Sequence, residues 1–397
     1  MKKISFLITA ILLLSLFRVG YAQQVEDESY TFEIKKQIKT TPVRDQYRSG
    51  TCWSFSANAF IETELLRMGK PEVDISEMWM VRHAYQDKAE KYVRVHGSLN
   101  FGGGGAFHDV FDTWRKYGVV PEEAYPGLNY GEEKHVHGEL DGVLKKFVDG
   151  VIENGNKKLS TAWKEAFMGI LDAYFGVMPE SFTYQGKKYT PKEFADNIGF
   201  KPDDYVDITS YTHHPFYKAF ILEIPDNWAW GSAQNLPLDE MMQVIDNALN
   251  NGYPVCWGAD VSEKGFSWSK GIAIVPADTR PDLDGLERDK WEKLSDKEKN
   301  EKLYSFSEIL PEMEITQELR QAAFDNYQTT DDHGMVFTGI AFDQKGNKYY
   351  LVKNSWNTNN IYEGYFYASE AYVRYKTMNI VVHKDAVPKD IRKKLDI

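Results

Sequence analysis

Cysteine is scarce. Only Cys52 and Cys256 occur in 397 residues, which excludes a disulfide framework as the source of stability. One bridge between the two is open to an exported chain, but their surroundings differ. Cys256 lies in Tyr253-Pro254-Val255-Cys256-Trp257-Gly258, a short apolar run that reads as a buried strand, where a thiol acts as a small hydrophobic group. Two unpaired thiols are expected, one reactive and one inert.

Basic charge is in deficit: 47 Lys and Arg stand against 59 Asp and Glu, a net of −12. That balance aids solubility and disfavours nucleic acid or anionic membrane as a partner. Beyond the N-terminus the apolar stretches are short and strand-like, so no stable membrane insertion is expected of the processed chain. Internal repeats and low-complexity segments are lacking. The glycine run Phe101-Gly102-Gly103-Gly104-Gly105-Ala106 lacks the Lys-Ser/Thr of a phosphate loop and the spacing of a dinucleotide fingerprint. His135-Val136-His137 and His213-His214 have no cysteine or carboxylate cluster at a spacing that completes a zinc pattern. His83, His96, His108 and His383 read as solvated or core residues. No metal and no organic cofactor is expected.

What is present starts with an address. Lys2 and Lys3 precede an uncharged apolar run, Phe6 to Phe17, and Gly20-Tyr21-Ala22 offers small residues for cleavage. A core twelve residues long is too short to span a bilayer, so residues 1–22 read as a secretory signal peptide, with an uncleaved anchor as the alternative. Export to the periplasm or the exterior follows. Residues 23–397 are read as one peptidase-sized domain, with Lys/Glu/Asp-rich helical insertions around 131–200 and 275–325. Aromatic residues make up 14%, enough for a large core.

Residues 23–45 read as an extended leader. From Thr51 to about Met68 apolar residues recur at helical spacing, and Gly69-Lys70-Pro71 is a stop. Cys52 therefore stands at a helix N-terminus, where the dipole and the free N–H groups favour thiolate. Ser76 to Ala84 begins a second helix, with Ser76 as its cap, and a third spans Phe107 to Tyr117. Segment 282–303, dense in mixed charge, reads as an exposed helix pair. Four consecutive glycines suggest a backbone left bare so that another chain can lie against it. After Met335 the chain turns to strands: Val336 to Phe342, a turn at 343–347, and Lys348 to Lys353 returning. Gly364 to Tyr367 and Met378 to Val382 add more. Helices first and an antiparallel sheet last make an α+β layout.

The hairpin makes His333 and Asn354 neighbours across 21 positions of sequence. A carboxamide accepting from one ring nitrogen fixes the tautomer and leaves the other nitrogen to face a thiol. Trp356 follows, where an indole shields that hydrogen bond. Gln46, six residues before Cys52, can aim its side chain at the space served by the Cys52 backbone N–H, an oxyanion hole. Alone, a buried cysteine, a surface amide or a strand-end histidine is unremarkable chemistry; together they supply nucleophile, base, orienting group and oxyanion donor.

These residues resemble the papain superfamily of cysteine peptidases: Gln46…Cys52-Trp53-Ser54-Phe55 matches its nucleophile motif and His333…Asn354-Ser355-Trp356 its base and orienting residues. Gly104-Gly105 matches its substrate-binding glycine pair. Within that superfamily the chain is most similar to the bleomycin hydrolase and aminopeptidase C family, through Asp45-Gln46-x-x-Ser49-Gly50-x-Cys52-Trp53, Lys116-Tyr117-Gly118-Val119-Val120-Pro121 and Val387-Pro388. The resemblance implies a papain-like fold with helical insertions. It implies catalytic Cys52, His333, Asn354 and Gln46, with Gly104, Gly105 and Trp356 binding substrate, no metal, and a hexameric assembly. It also implies aminopeptidase activity on peptides, which family members enforce with a C-terminal arm in the cleft. Two departures stand out: the export signal, and a tail that ends nine residues after Pro388. A papain-like endopeptidase with an open cleft, a thiol acyltransferase or amidase, and a non-catalytic exported binding protein are the rival readings.

Overall fold

The computed structural model describes residues 29–397; the signal peptide expected over residues 1–22 lies outside the described residues. Part of the expected leader is a strand. β1 (Phe32–Gln37) pairs antiparallel with residues 339–343 near the far end of the chain.

Three helices build the centre of one half: α1 (Cys52–Arg67), α2 (Glu77–Arg94) and α3 (Phe107–Tyr117). α1 is buried nearly all round, polar Ser54, Asn58, Glu62 and Glu64 included, as a helix enclosed by other elements must be. The Ser76 hydroxyl caps α2 by accepting from the Trp79 N–H at 3.0 Å. α2 begins where expected and runs on to Arg94, with Ala89, Tyr92 and Val93 continuing its buried face. α4 (Gly138–Ile152) and α5 (Trp163–Phe175) present Leu140, Leu144, Val148 and Phe167, Leu171, Phe175 at helical spacing. A short hairpin, β2 (Phe182–Tyr184) and β3 (Lys187–Tyr189), leads into α6 (Pro191–Ile198). The apolar side chains of this 138–198 segment join the same core as α1–α3.

The other half is a mixed sheet with its own core. Its elements in chain order are β4 (Tyr205–Thr209), β5 (Ala219–Ile221), β6 (Ser232–Asn235), α7 (Leu238–Asn250), β7 (Val255–Ala259), β8 (Phe266–Ser267) and β9 (Ile272–Ala273). There follow α8 (Gly285–Glu292), α9 (Asp296–Leu303), α10 (Gln317–Asp325), β10 (His333–Asp343), β11 (Lys348–Lys353), β12 (Tyr365–Ser369), α11 (Glu370–Lys376), β13 (Thr377–His383) and α12 (Lys389–Leu395). The strands lie in the order β5-β6-β4-β13-β7-β10-β11-β12-β9-β8. The expected hairpin is β10–β11, with Val336 opposite Lys353 and Phe342 opposite Lys348. Its turn is closed by the Asp343 carboxylate, which accepts from the Lys345 and Asn347 N–H groups at 2.9 and 2.8 Å, and by Gly346 at φ +85°. β10 begins three residues earlier than its apolar run, because His333, Gly334 and Met335 pair with Ala259, Gly258 and Trp257 of β7.

Where the halves meet, α1 lies directly on the start of β10. A Cβ at Gly334 would come within 2.6 Å of Ser56 Oγ and 2.8 Å of the Phe107 ring, so only glycine permits this approach. That contact sets Cys52 beside His333. The last residues are elsewhere: Ile391 and Leu395 of α12 are buried in the sheet-side core, and Lys394 Nζ donates to Glu240 of α7 at 2.7 Å. Among the described residues no helix is long and apolar enough to cross a membrane.

Candidate active site

Cys52 is the first residue of α1 and is partly exposed, whereas Cys256 is buried in β7; both thiols are free. Cys52 opens on a small pocket of about 360 Å³ shared with Trp53, Gly105, His333 and Gly334. The backbone N–H groups of Gly334 and Trp53 favour the charged form of the sulfur. A larger trough of about 830 Å³, lined by Ile309, Glu312 and Lys348, contains neither cysteine nor histidine.

His333 is buried, and its Nε2 lies 2.7 Å from Asn354 Oδ1. The same oxygen accepts from the Ser355 N–H at 2.8 Å, which fixes the carboxamide with its oxygen toward the ring and its nitrogen away. With Asn354 Oδ1 as acceptor, Nε2 carries the proton and Nδ1 is left with a lone pair. The Trp356 ring stands 4.5 Å from the imidazole at 34°, and Trp268 and Phe266 extend the aromatic cover. Trp356 thus covers the histidine and does not line the pocket.

Gln46 is buried beside this group. Its Oε1 accepts from Ser355 Oγ at 2.7 Å, and its Nε2 donates to the Ser49 carbonyl at 3.0 Å. One amide proton is used in this way, and the second makes no hydrogen bond among the described residues. Gln46 does not line the pocket.

The glycine run is largely covered by the protein's own chain. A Cβ at Gly103 would sit 3.1 Å from Gly50 Cα, in the turn before Cys52, and one at Gly104 would overlap the Asp226 carboxylate. The Trp53 indole donates to the Gly103 carbonyl at 2.9 Å. The buried Lys88 ammonium donates to the carbonyls of Gly102, at 2.8 Å, and Gly104. Only Gly105 of the expected substrate-binding pair faces the pocket. Sequence reasoning missed Lys88 and Asp226. Lys88 lies in the later turns of α2, and Asp226 comes from the loop 222–231, more than a hundred residues away.

Electrostatics run against the thiolate expected from helix position alone. Burial pushes the Cys52 thiol up to about 12, reinforced by Asp331 and Asp226 and opposed by the Gly334 and Trp53 N–H groups. Burial likewise pushes His333 down to about 4, opposed by the Asn354 hydrogen bond. Desolvation disfavours the charged form of each group and works against the helix N-terminus at Cys52.

Among the described residues one trio has cation-ligating geometry: His213, His214 and Glu223. No carboxylate stands beside the histidines in sequence; the fold brings Glu223 to 3.1 Å from His213 Nε2 and 2.7 Å from His214 Nε2. Gln321 decides the chemistry. Its Oε1 accepts from the Thr212 N–H at 2.6 Å, which turns its Nε2 to donate to His213 Nδ1 at 3.1 Å. His213 Nε2 therefore carries the proton and donates to Glu223, leaving no lone pair there for a metal. His83 and His135-x-His137 are buried imidazoles pushed well below the usual range by desolvation, in rings stacked on Tyr117 or set against aromatic neighbours.

A helical half and a sheet half, meeting where a thiol at a helix start faces a strand-end histidine, define the papain-like α+β class. The model of the Peptidase C1-like family matches residues 79–280 and 292–397. The chain belongs to that family and is a cysteine-type peptidase. Among curated proteins it is 25% identical to "Aminopeptidase C" of Lactobacillus helveticus, over 91% of this chain and 83% of that one. It is 22% identical to "Bleomycin hydrolase" of Rattus norvegicus, over 92% and 86% of the two chains. Among solved structures, PepW from Lactobacillus rhamnosis HN001 superimposes with a TM-score of 0.68 at 19% identity, covering 92% of this chain and 84% of that one. The structural likeness shows the shared fold.

Proposed function

We propose that the chain is an aminopeptidase that removes N-terminal residues from peptides with Cys52 as nucleophile. The observation that carries this reading is the His333 Nε2–Asn354 Oδ1 hydrogen bond of 2.7 Å beside a pocket that also holds Cys52. When a peptide enters, its scissile carbonyl is attacked by Cys52 sulfur as the thiol proton moves to His333 Nδ1. The tetrahedral oxyanion is held by the Cys52 N–H and the free amide proton of Gln46. The imidazolium then returns its proton to the leaving amine, and water, deprotonated by the same nitrogen, releases the acid. Asn354 holds the ring throughout, Trp356 keeps water from that hydrogen bond, and Gly105 offers its backbone to the substrate.

The names of the relatives support the aminopeptidase part of this reading, and the Asp226 carboxylate set over Gly104 at the pocket supports it over an endopeptidase. The intact Cys52, His333, Asn354 and Gln46 set favours catalysis over binding alone. Export rests on the basic start, apolar run and small residues of positions 2–22, and the hexamer on the family resemblance. The test is mass spectrometry of an unblocked peptide during digestion: stepwise loss from the N-terminus is expected. Internal cuts in an N-acetylated peptide would replace the reading with an endopeptidase.

A further inference from the structure

The β5–β6 connection is a strap between the two halves. It leaves the sheet edge at Leu222 and returns at Ser232. Midway, Trp228 is buried in the helical-half core, and its indole donates to Asp109 Oδ2 of α3 at 2.7 Å. Lys91 of α2 donates to the Ala229 carbonyl at 2.7 Å, and its ammonium stands 3.7 Å over the Trp230 ring. Asn227 staples the loop to itself, donating to the carbonyls of Leu222 and Gly231 at 2.8 Å each. A loop anchored at this many points is part of the cleft wall.

Asp226 is the tip of that strap. Its carboxylate covers Gly104 and lines the pocket of Cys52 and His333. Asn100 Nδ2 donates to its Oδ1 at 2.9 Å, which holds it in place. A peptide laid along the glycine run in extended form pairs with Gly105 and then meets Asp226. Asp331 faces the same pocket, and its carboxylate makes no hydrogen bond or ion pair among the described residues. Burial and the neighbouring Asp226 and Asp332 push Asp331 up to about 7. The nearby cation, Lys88, is committed to the Gly102 and Gly104 carbonyls, and Asp332 accepts from the Val261 and Ser262 N–H groups. The closed end of the cleft is thus short of one positive charge, held at backbone level where a peptide strand must stop.

We propose that the strap carrying Asp226 closes the cleft past Gly105, and that Asp226 with Asp331 receives the α-ammonium of the substrate. This rests on the aminopeptidase reading and gives its specificity to an internal loop; residues 391–395 of α12 are packed on the sheet-side core and α7. An N-acetylated peptide has neither the charge to pair with these acids nor a short enough end.

The test compares a free-amine aminoacyl fluorogenic substrate with its N-acetylated form in the wild-type chain, Asp226→Asn and Asp331→Asn. The rate of Cys52 alkylation by iodoacetamide reports an intact nucleophile in each. The wild type is expected to prefer the free amine. In Asp226→Asn that preference falls roughly tenfold or more through KM, as for truncation of one partner of a partly buried charge pair, while iodoacetamide still labels Cys52. Asp331→Asn is expected to lower it in the same direction. A wild-type preference that survives in both variants would overturn the assignment of the acids and leave the aminopeptidase reading standing. A wild type that cleaves both substrates equally would overturn both.

Discussion

Replacing Asn354 by alanine removes the one acceptor available to His333 Nε2, now 2.7 Å away. Because the imidazole is buried, its N–H cannot turn to water, and an unmet buried donor costs about 1–3 kcal/mol. That penalty applies to the orientation and tautomer needed to take the thiol proton, so it enters the barrier. At about 1.4 kcal/mol per tenfold, kcat falls roughly 5- to 150-fold. The lower part of that range is expected if Trp356, 4.5 Å from the ring, still limits its rotation. Asn354 does not line the pocket, so KM changes little. Asn354→Asp separates orientation from charge. It keeps an acceptor in place but sets a carboxylate on the ring, which favours imidazolium and raises the His333 pKa above its present value of about 4. The base must be neutral, so the acid limb of kcat/KM moves to higher pH in Asn354→Asp. Steady-state kinetics on a free-amine fluorogenic substrate between pH 4 and 9 reads both effects. An alanine variant with wild-type kcat, or an aspartate variant with an unmoved acid limb, would refute the reasoning.

Three other outcomes follow from named contacts. Gln46→Ala is expected to lower turnover by about 10²–10³ with little change in KM, the usual effect of losing an oxyanion donor; an unchanged turnover number would assign the oxyanion to other donors. Burial pushes Glu62 up to about 7, so its folded-state contribution is present below its unfolded value of about 4.5 and is lost as pH rises through 7. The difference in melting temperature, Glu62→Gln minus wild type, should therefore grow from pH 5 to pH 8; a pH-independent difference would contradict it. Ile391→Ala is expected to lower the unfolding free energy by about 2–5 kcal/mol, because the side chain is fully buried under α12. The preference for free-amine substrates should stay unchanged, and a loss of that preference without destabilisation would place the tail in the cleft.

Local signals made much of the frame legible. α3 spans its expected residues, β11 likewise, and α1 begins at the expected cysteine, because periodicity, caps and glycine stops are written within a few residues of each other. The His333–Asn354 pairing followed from hairpin arithmetic alone. What escaped was set by distant contacts. Lys88 of α2 donates to carbonyls of the glycine run, and Trp228 of the 222–231 strap is buried in the other half's core; neither contact is written in the local sequence. Gly104 looked bare in sequence because nothing there announces Asp226. The thiol shows the same limit: a helix start is visible in sequence, while the desolvation that opposes it is a property of the assembled cleft.

The most direct measurement is covalent. Incubation with a thiol-directed epoxide, followed by peptide mapping, is expected to place the label on Cys52 alone, with hydrolysis lost in step. Cys52→Ala should neither label nor hydrolyse, while Cys256→Ala, at a buried strand position remote from solvent, should do both. Turnover that persists in Cys52→Ala, or a label that inactivates from Cys256, would contradict the account.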